Sequence, residues 1–196
     1  MALSNIQGII FDLDGTLVES SLDFTLIRDQ IGCPHDVDLL TFIDDLDCEQ
    51  QKKQANSIVF EHENRDAQYA KSLTGLDELL SHIDKINLPS AIVTRNSKAA
   101  TEQKLQQNNI DIALVLTREC YPAKPAPDAL LAIAKQWNIP PKHIVYVGDY
   151  LYDIQAAKNA GMLACFINHG KPKSYQHLAD IIVENLPHLL TFLCKK

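Results

Sequence analysis

Short apolar runs recur along the chain, separated by stretches in which apolar positions return every three or four residues. Residues 7–11 read as a buried strand that ends at Asp12. Leu76, Leu79, Leu80 and Ile83 hold the i, i+3, i+4, i+7 spacing of an amphipathic helix. A second strand is predicted over 90–94, a helix over 97–107 and a third strand over 112–116. Pro127 suits a helix start, and Leu130, Ile133, Ala134 and Trp137 form that helix's apolar face. A fourth strand follows at 144–147, then a helix over 153–160 with Gly161 as its C-cap. Strands at 163–167 and 180–183 and a last helix from Pro187 complete the pattern.

Strands alternating with helices predict an α/β fold: a Rossmann-like, doubly wound parallel sheet with helices on both faces. Right-handed crossovers place every strand's carboxyl end along one edge, where ligands bind. Residues 19–72 break the alternation. They are polar, show no convincing strand, and read as several helices, for example over 24–31 and 50–71. This predicts a small α-helical insertion after the first strand, over 19–72, with 1–18 and 73–196 forming the core.

With 196 residues the chain can bury one sizeable core. At 46% hydrophobic and 22% charged residues it reads as a soluble globular protein. No apolar run is long enough to cross a bilayer, and the first ten residues lack the basic start of a signal peptide. Cys33, Cys48, Cys120, Cys165 and Cys194 form no C-x-x-C pair, which argues for reduced thiols and a cytoplasmic location. Cys120 is expected in core packing. A net charge of −7 without a basic cluster argues against nucleic acid as a partner, as the missing apolar span does for a membrane. Nothing in the sequence fixes the oligomeric state.

Four motifs carry chemistry. Asp12-Leu13-Asp14-Gly15-Thr16-Leu17 sets two carboxylates two residues apart before a glycine, a pocket suited to a hard cation. Thr94-Arg95-Asn96 ends the second strand with a hydroxyl and backbone amides able to hold phosphate. Lys124 precedes the stiff Pro125-Ala126-Pro127 run and can counter phosphate charge. Gly148-Asp149-Tyr150-Leu151-Tyr152-Asp153 adds two more carboxylates. Taken singly, each motif has an ordinary structural explanation: a turn, a helix cap or a surface lysine. Together they fall at one sheet edge in the order acid pair, hydroxyl, lysine, acid pair.

This order resembles the haloacid dehalogenase-like superfamily and, within it, phosphatases with a small helical cap such as phosphoglycolate phosphatases. The likeness spans nearly the whole chain and equates the insertion with the cap. It implies a Mg²⁺-dependent phosphatase acting on a small phosphorylated metabolite. By the same resemblance, Asp12 is the nucleophile that becomes a phospho-aspartate, and Asp14 the general acid and base. Asp12, the Asp14 backbone carbonyl, Asp149 and Asp153 would hold or support the metal. Thr94, Lys124 and backbone amides near Leu13, Asp14 and Arg95 would stabilise the transferring phosphoryl group. The Arg95 side chain is open between substrate contact and salt bridge. A β-phosphoglucomutase-like phosphomutase would carry the same four motifs. A phospho-receiver module fits less well, because no acid ends the third strand and such domains lack the insertion.

Charge placement adds an expectation about substrate. Residues 19–72 hold 12 acidic and 5 basic residues and so account for the whole net charge of −7. An acidic lid disfavours a substrate with a second anionic group, and so favours neutral or hydroxylated leaving groups such as sugars or nucleosides. Phosphoglycolate would need a basic residue for its carboxylate, with Arg28 or Arg65 as the candidates. If the acidic side chains merely face solvent, the preference disappears.

Overall fold

The computed structural model describes residues 5–194. Residues 1–4, where the N-terminal stretch read above begins, lie outside the described residues, as do 195 and 196.

Six strands form one sheet: β1 (Gly8–Phe11), β2 (Ser90–Val93), β3 (Leu114–Leu116), β4 (Ile144–Gly148), β5 (Leu163–Ile167) and β6 (Ile181–Val183). Their order is β3-β2-β1-β4-β5-β6, and every pairing is parallel. The order reverses direction between β1 and β4, where doubly wound sheets open a crevice at the carboxyl ends of the strands. Register decides what lines it. Phe11 lies opposite both Ile92 and Val147. The next residues out, Asp12, Val93 then Thr94, and Gly148 then Asp149, therefore emerge side by side. The Asp12 amide donates to the Val147 carbonyl at 2.8 Å and the Thr94 amide to that of Leu116 at 3.0 Å, which fixes both residues to the sheet.

Side chains alternate across the pleat, so β1 feeds two cores. Ile9 and Phe11 pack with Leu79 and Ile83 of α4 (Leu76–Lys85) and with Leu189 of α8 (Leu186–Leu193). Ile10 packs on the other face with Leu130 and Ile133 of α6 (Asp128–Trp137) and Ile154 of α7 (Leu151–Asn159). Each side chain taken fully out of water contributes about 1.5–3 kcal/mol. α5 (Lys98–Gln107) begins at Ser97, whose side chain caps the Ala100 amide.

Residues 19–72 contain α1 (Phe24–Ile31), α2 (Leu39–Asp44) and α3 (Glu49–Ala67). They enclose their own apolar cluster of Ile27, Cys33, Leu39, Ile43, Ala55 and Val59. The two crossings to the sheet run alongside each other: Val18 bridges Ser72, the Glu19 amide donates to the Lys71 carbonyl, and the Leu73 amide donates to that of Leu17. α3 is also tied to the core by buried charge. Asp66 pairs with Lys104 at 2.7 Å, Glu63 pairs with Arg118, and Glu63 accepts the Ser97 amide at 3.1 Å. No helix among the described residues is long and apolar enough to cross a membrane.

Candidate active site

The loop after β1 turns sharply at Gly15, whose φ is +69°. A side chain there would bring its Cβ within 2.3 Å of Asp149 Oδ2, so glycine lets the first and fourth motifs close on each other. Gly148 does the same for Asp153, whose Cβ would lie 2.3 Å from a Cβ at that position. As a result Asp12, Asp149 and Asp153 each offer a carboxylate oxygen within 4.8 Å of one another.

Such crowding needs a counter-charge. Lys124, 4% exposed, bridges Asp12 Oδ1 and Asp153 Oδ1, both at 2.7 Å. Burial works against its charge, but Asp12 and Asp153 outweigh it and hold Lys124 above its ordinary pKa. One cation for three carboxylates is not enough. Burial pushes Asp12 up to about 7, although Lys124 draws it down. Asp149 is pushed to about 8 by burial and by the charges of Asp153 and Asp12. Compact oxygen donors that resist ionising for want of positive charge fit a small divalent cation. Asp153 is the most committed of the three. Its Oδ1 also accepts the Tyr146 hydroxyl at 3.1 Å, and its Oδ2 the Tyr150 amide at 3.0 Å. Burial, then Asp153 and Asp12, raise the Tyr146 phenol well above its usual value, so it stays a donor.

The Asp14 carboxylate stands apart from this triad. Lys104 Nζ holds its Oδ1 at 2.5 Å and Asn96 Nδ2 donates to its Oδ2 at 2.8 Å. Thr94 is buried at the end of β2 and its Oγ1 accepts the Asn96 amide at 3.2 Å. Thr16 Oγ1, in the loop after β1, is buried with no hydrogen-bond partner.

The Arg95 guanidinium pairs with Asp38 at 2.7 Å, donates to the Lys124 carbonyl at 2.6 Å and lies over the Tyr152 ring at 4.8 Å. Arg28 donates within the insertion, to Cys33 Sγ and to the carbonyls of Pro34 and Val37; Arg65 is exposed near the end of α3. His169, in the loop after β5, reaches the first motif, its Nε2 lying 2.7 Å from the Gly15 carbonyl. Cys120 is exposed rather than packed in the core. It lines a cleft of about 480 Å³ between α2 and residues 118–123, in which none of Asp12, Asp14, Asp149 and Asp153 lies.

Lys104 was not evident from the sequence, yet it is fully buried and touches Asp14 and Asp66 at once. A faint signal exists: Ala100, Thr101 and Lys104 share the buried stripe of α5, an unusual place for a lysine.

Residues 25–167 match the model of the haloacid dehalogenase-like hydrolase family. An uncharacterized hydrolase of Saccharomyces cerevisiae is 30% identical over 97% of this chain and 92% of its own length. An N-acetylmuramic acid 6-phosphate phosphatase of Pseudomonas putida is 27% identical, covering 92% of each chain. A phosphoglycolate phosphatase of Vibrio vulnificus is 28% identical over 97% of each. The parallel sheet with carboxylates gathered at its switch point defines a doubly wound α/β protein with an acidic site at its carboxyl edge. The chain belongs to the haloacid dehalogenase-like hydrolase family.

Proposed function

We propose that this protein is a Mg²⁺-dependent phosphatase that hydrolyses small phosphate monoesters through a phospho-aspartate on Asp12. The observation that carries the reading is the triad of buried Asp12 and Asp153 with half-buried Asp149, short of positive charge, in which Lys124 bridges Asp12 and Asp153. The phosphatases among its relatives support the reaction class.

Asp12 and Asp149 would hold Mg²⁺ together with the Asp14 backbone carbonyl, and Asp153 would support the site from its bonds to Lys124 and Tyr146. Bound there, Mg²⁺ supplies the charge that lets an anionic nucleophile meet an anionic phosphate. Lys124 holds the Asp12 carboxylate in place for attack at phosphorus. Its ammonium, with the Thr94 hydroxyl and the amides that follow, neutralises charge on the phosphoryl group. Asp14 donates a proton to the leaving oxygen and takes one from the water that hydrolyses the phospho-aspartate. Helices α1–α3 act as the cap over this edge.

A panel of phosphate monoesters, with water as the only acceptor, tests the reading. Activity should vanish in EDTA and return with Mg²⁺. Ca²⁺ should support it poorly, because it prefers longer bonds and more ligands. Full turnover in excess EDTA, or phosphoryl transfer to a sugar without release of phosphate, would refute it. The second result would favour the phosphomutase alternative.

A further inference from the structure

Three parts of the chain meet at Arg95. The residue follows Thr94 at the carboxyl end of β2, beside the phosphate-handling motifs. Asp38, at the N-terminus of α2, brings its Oδ2 within 2.7 Å of Arg95 Nη2. The ring of Tyr152, at the start of α7, lies beneath the guanidinium with its centroid 4.8 Å from Arg95 Cζ, and Arg95 Nη1 donates to the carbonyl of Lys124, whose ammonium holds Asp12. Asp38 is itself anchored, accepting the Thr41 amide and hydroxyl at 3.1 Å each. Both side chains of the pair keep partial exposure, 23% for Arg95 and 22% for Asp38, so the contact faces an accessible edge. The other arginine candidates are placed differently: Arg28 is bound to carbonyls of its own insertion, and Arg65 is exposed on α3.

We propose that Arg95 is the specificity-determining cation of this site and that Asp38 neutralises it. The enzyme therefore favours monophosphates with neutral, hydroxylated leaving groups over those with a carboxylate close to the phosphate. The inference rests on the phosphatase reading and adds the substrate class to it. A carboxylate beside the phosphate would compete with Asp38 for one guanidinium, and would do so next to an insertion that is already acidic. A glycerol or sugar hydroxyl meets no such competition.

The test compares kcat/KM for phosphoglycolate and glycerol 2-phosphate in saturating Mg²⁺. Asp38→Asn removes the charge but keeps a side chain that caps α2, and Asp38→Ser does so by a different cap. Both should raise the ratio of phosphoglycolate to glycerol 2-phosphate about tenfold, the effect of unmasking one nearby cation. Adding Arg95→Gln to Asp38→Asn should return the ratio to the wild-type value or below. A ratio within twofold of wild type in both Asp38 variants would overturn the inference. So would a gain that survives Arg95→Gln, since another cation would then be responsible. If the wild type hydrolyses no monoester at all, the phosphatase reading falls and the inference with it. Hydrolysis with an unmoved ratio would sink the inference alone.

Discussion

Replacing Lys104 with methionine should be costly in stability, because it removes a fully buried ammonium from between two carboxylates. Removing one partner of a buried ion pair usually costs about 3–5 kcal/mol, mostly from the charge left behind. The neighbours place this case at the low end. Asp66 would keep the Ser20 hydroxyl at 3.1 Å, the Ser21 amide at 2.6 Å and the Ser21 hydroxyl at 2.9 Å. Asp14 would keep Asn96, and its side chain is 20% exposed. We therefore expect a loss of about 3 kcal/mol in urea unfolding. In a chain of this size that lowers Tm by about 6–12 °C. Asp66→Asn alone leaves Lys104 paired with Asp14 and should cost about 1–2 kcal/mol. The double variant should cost less than the sum of the two by about 1–2 kcal/mol, since the residues share a contact. A loss below about 1 kcal/mol for Lys104→Met, or strictly additive effects, would mean that the bridge between α3 and α5 contributes little.

Gly15→Ala puts a side chain at φ +69° and against Asp149. It should cost at least about 1 kcal/mol, and raise the Mg²⁺ concentration needed for half-activation about tenfold or more; an unchanged Mg²⁺ titration would contradict this. Acid stability should depend on Asp66. Burial favours its neutral form, but Lys104 and Ser21 outweigh it and hold the carboxyl below its usual value. The unfolded chain then takes up the proton first. The stabilisation is complete above about pH 4 and is lost as pH falls through the lower folded value. Asp66→Asn should flatten the fall in unfolding free energy below about pH 4, and a slope equal to wild type would refute the assignment.

What the sequence made legible was what depends on near neighbours. The strand 163–167 has the predicted bounds, as does the first helix of the insertion at 24–31. Both carry dense local signals, an unbroken apolar run in one case and a capping Asp23 with a closing Gly32 in the other. β3 is shorter than expected, because Ile112 packs in the core without joining the ladder. α2 was missed: six residues hold too little of a helical repeat to stand out, and its stability comes from burying Leu39 and Ile43 against the other insertion helices. The four motifs were visible because each is a short word at a strand end, and parallel register then brings Asp12, Thr94 and Asp149 together. Lys104 left only a faint trace and Asp38 none, for the opposite reason. Their partners lie 90 and 57 residues away, and no local pattern marks an ion pair made by tertiary packing. Arg95, left open between two roles in the sequence, forms the salt bridge.

The central claim is that Asp12 carries the phosphoryl group, and chemical trapping tests it most directly. The protein is mixed with Mg²⁺ and excess substrate, quenched within the first turnovers and treated with borohydride, which reduces an acyl phosphate to an alcohol. Peptide mass spectrometry should find homoserine at position 12, absent without substrate and absent in Asp12→Asn, which should also lose turnover. Steady hydrolysis with Asp12 never reduced, or with the reduced side chain found at another carboxylate, would contradict the account.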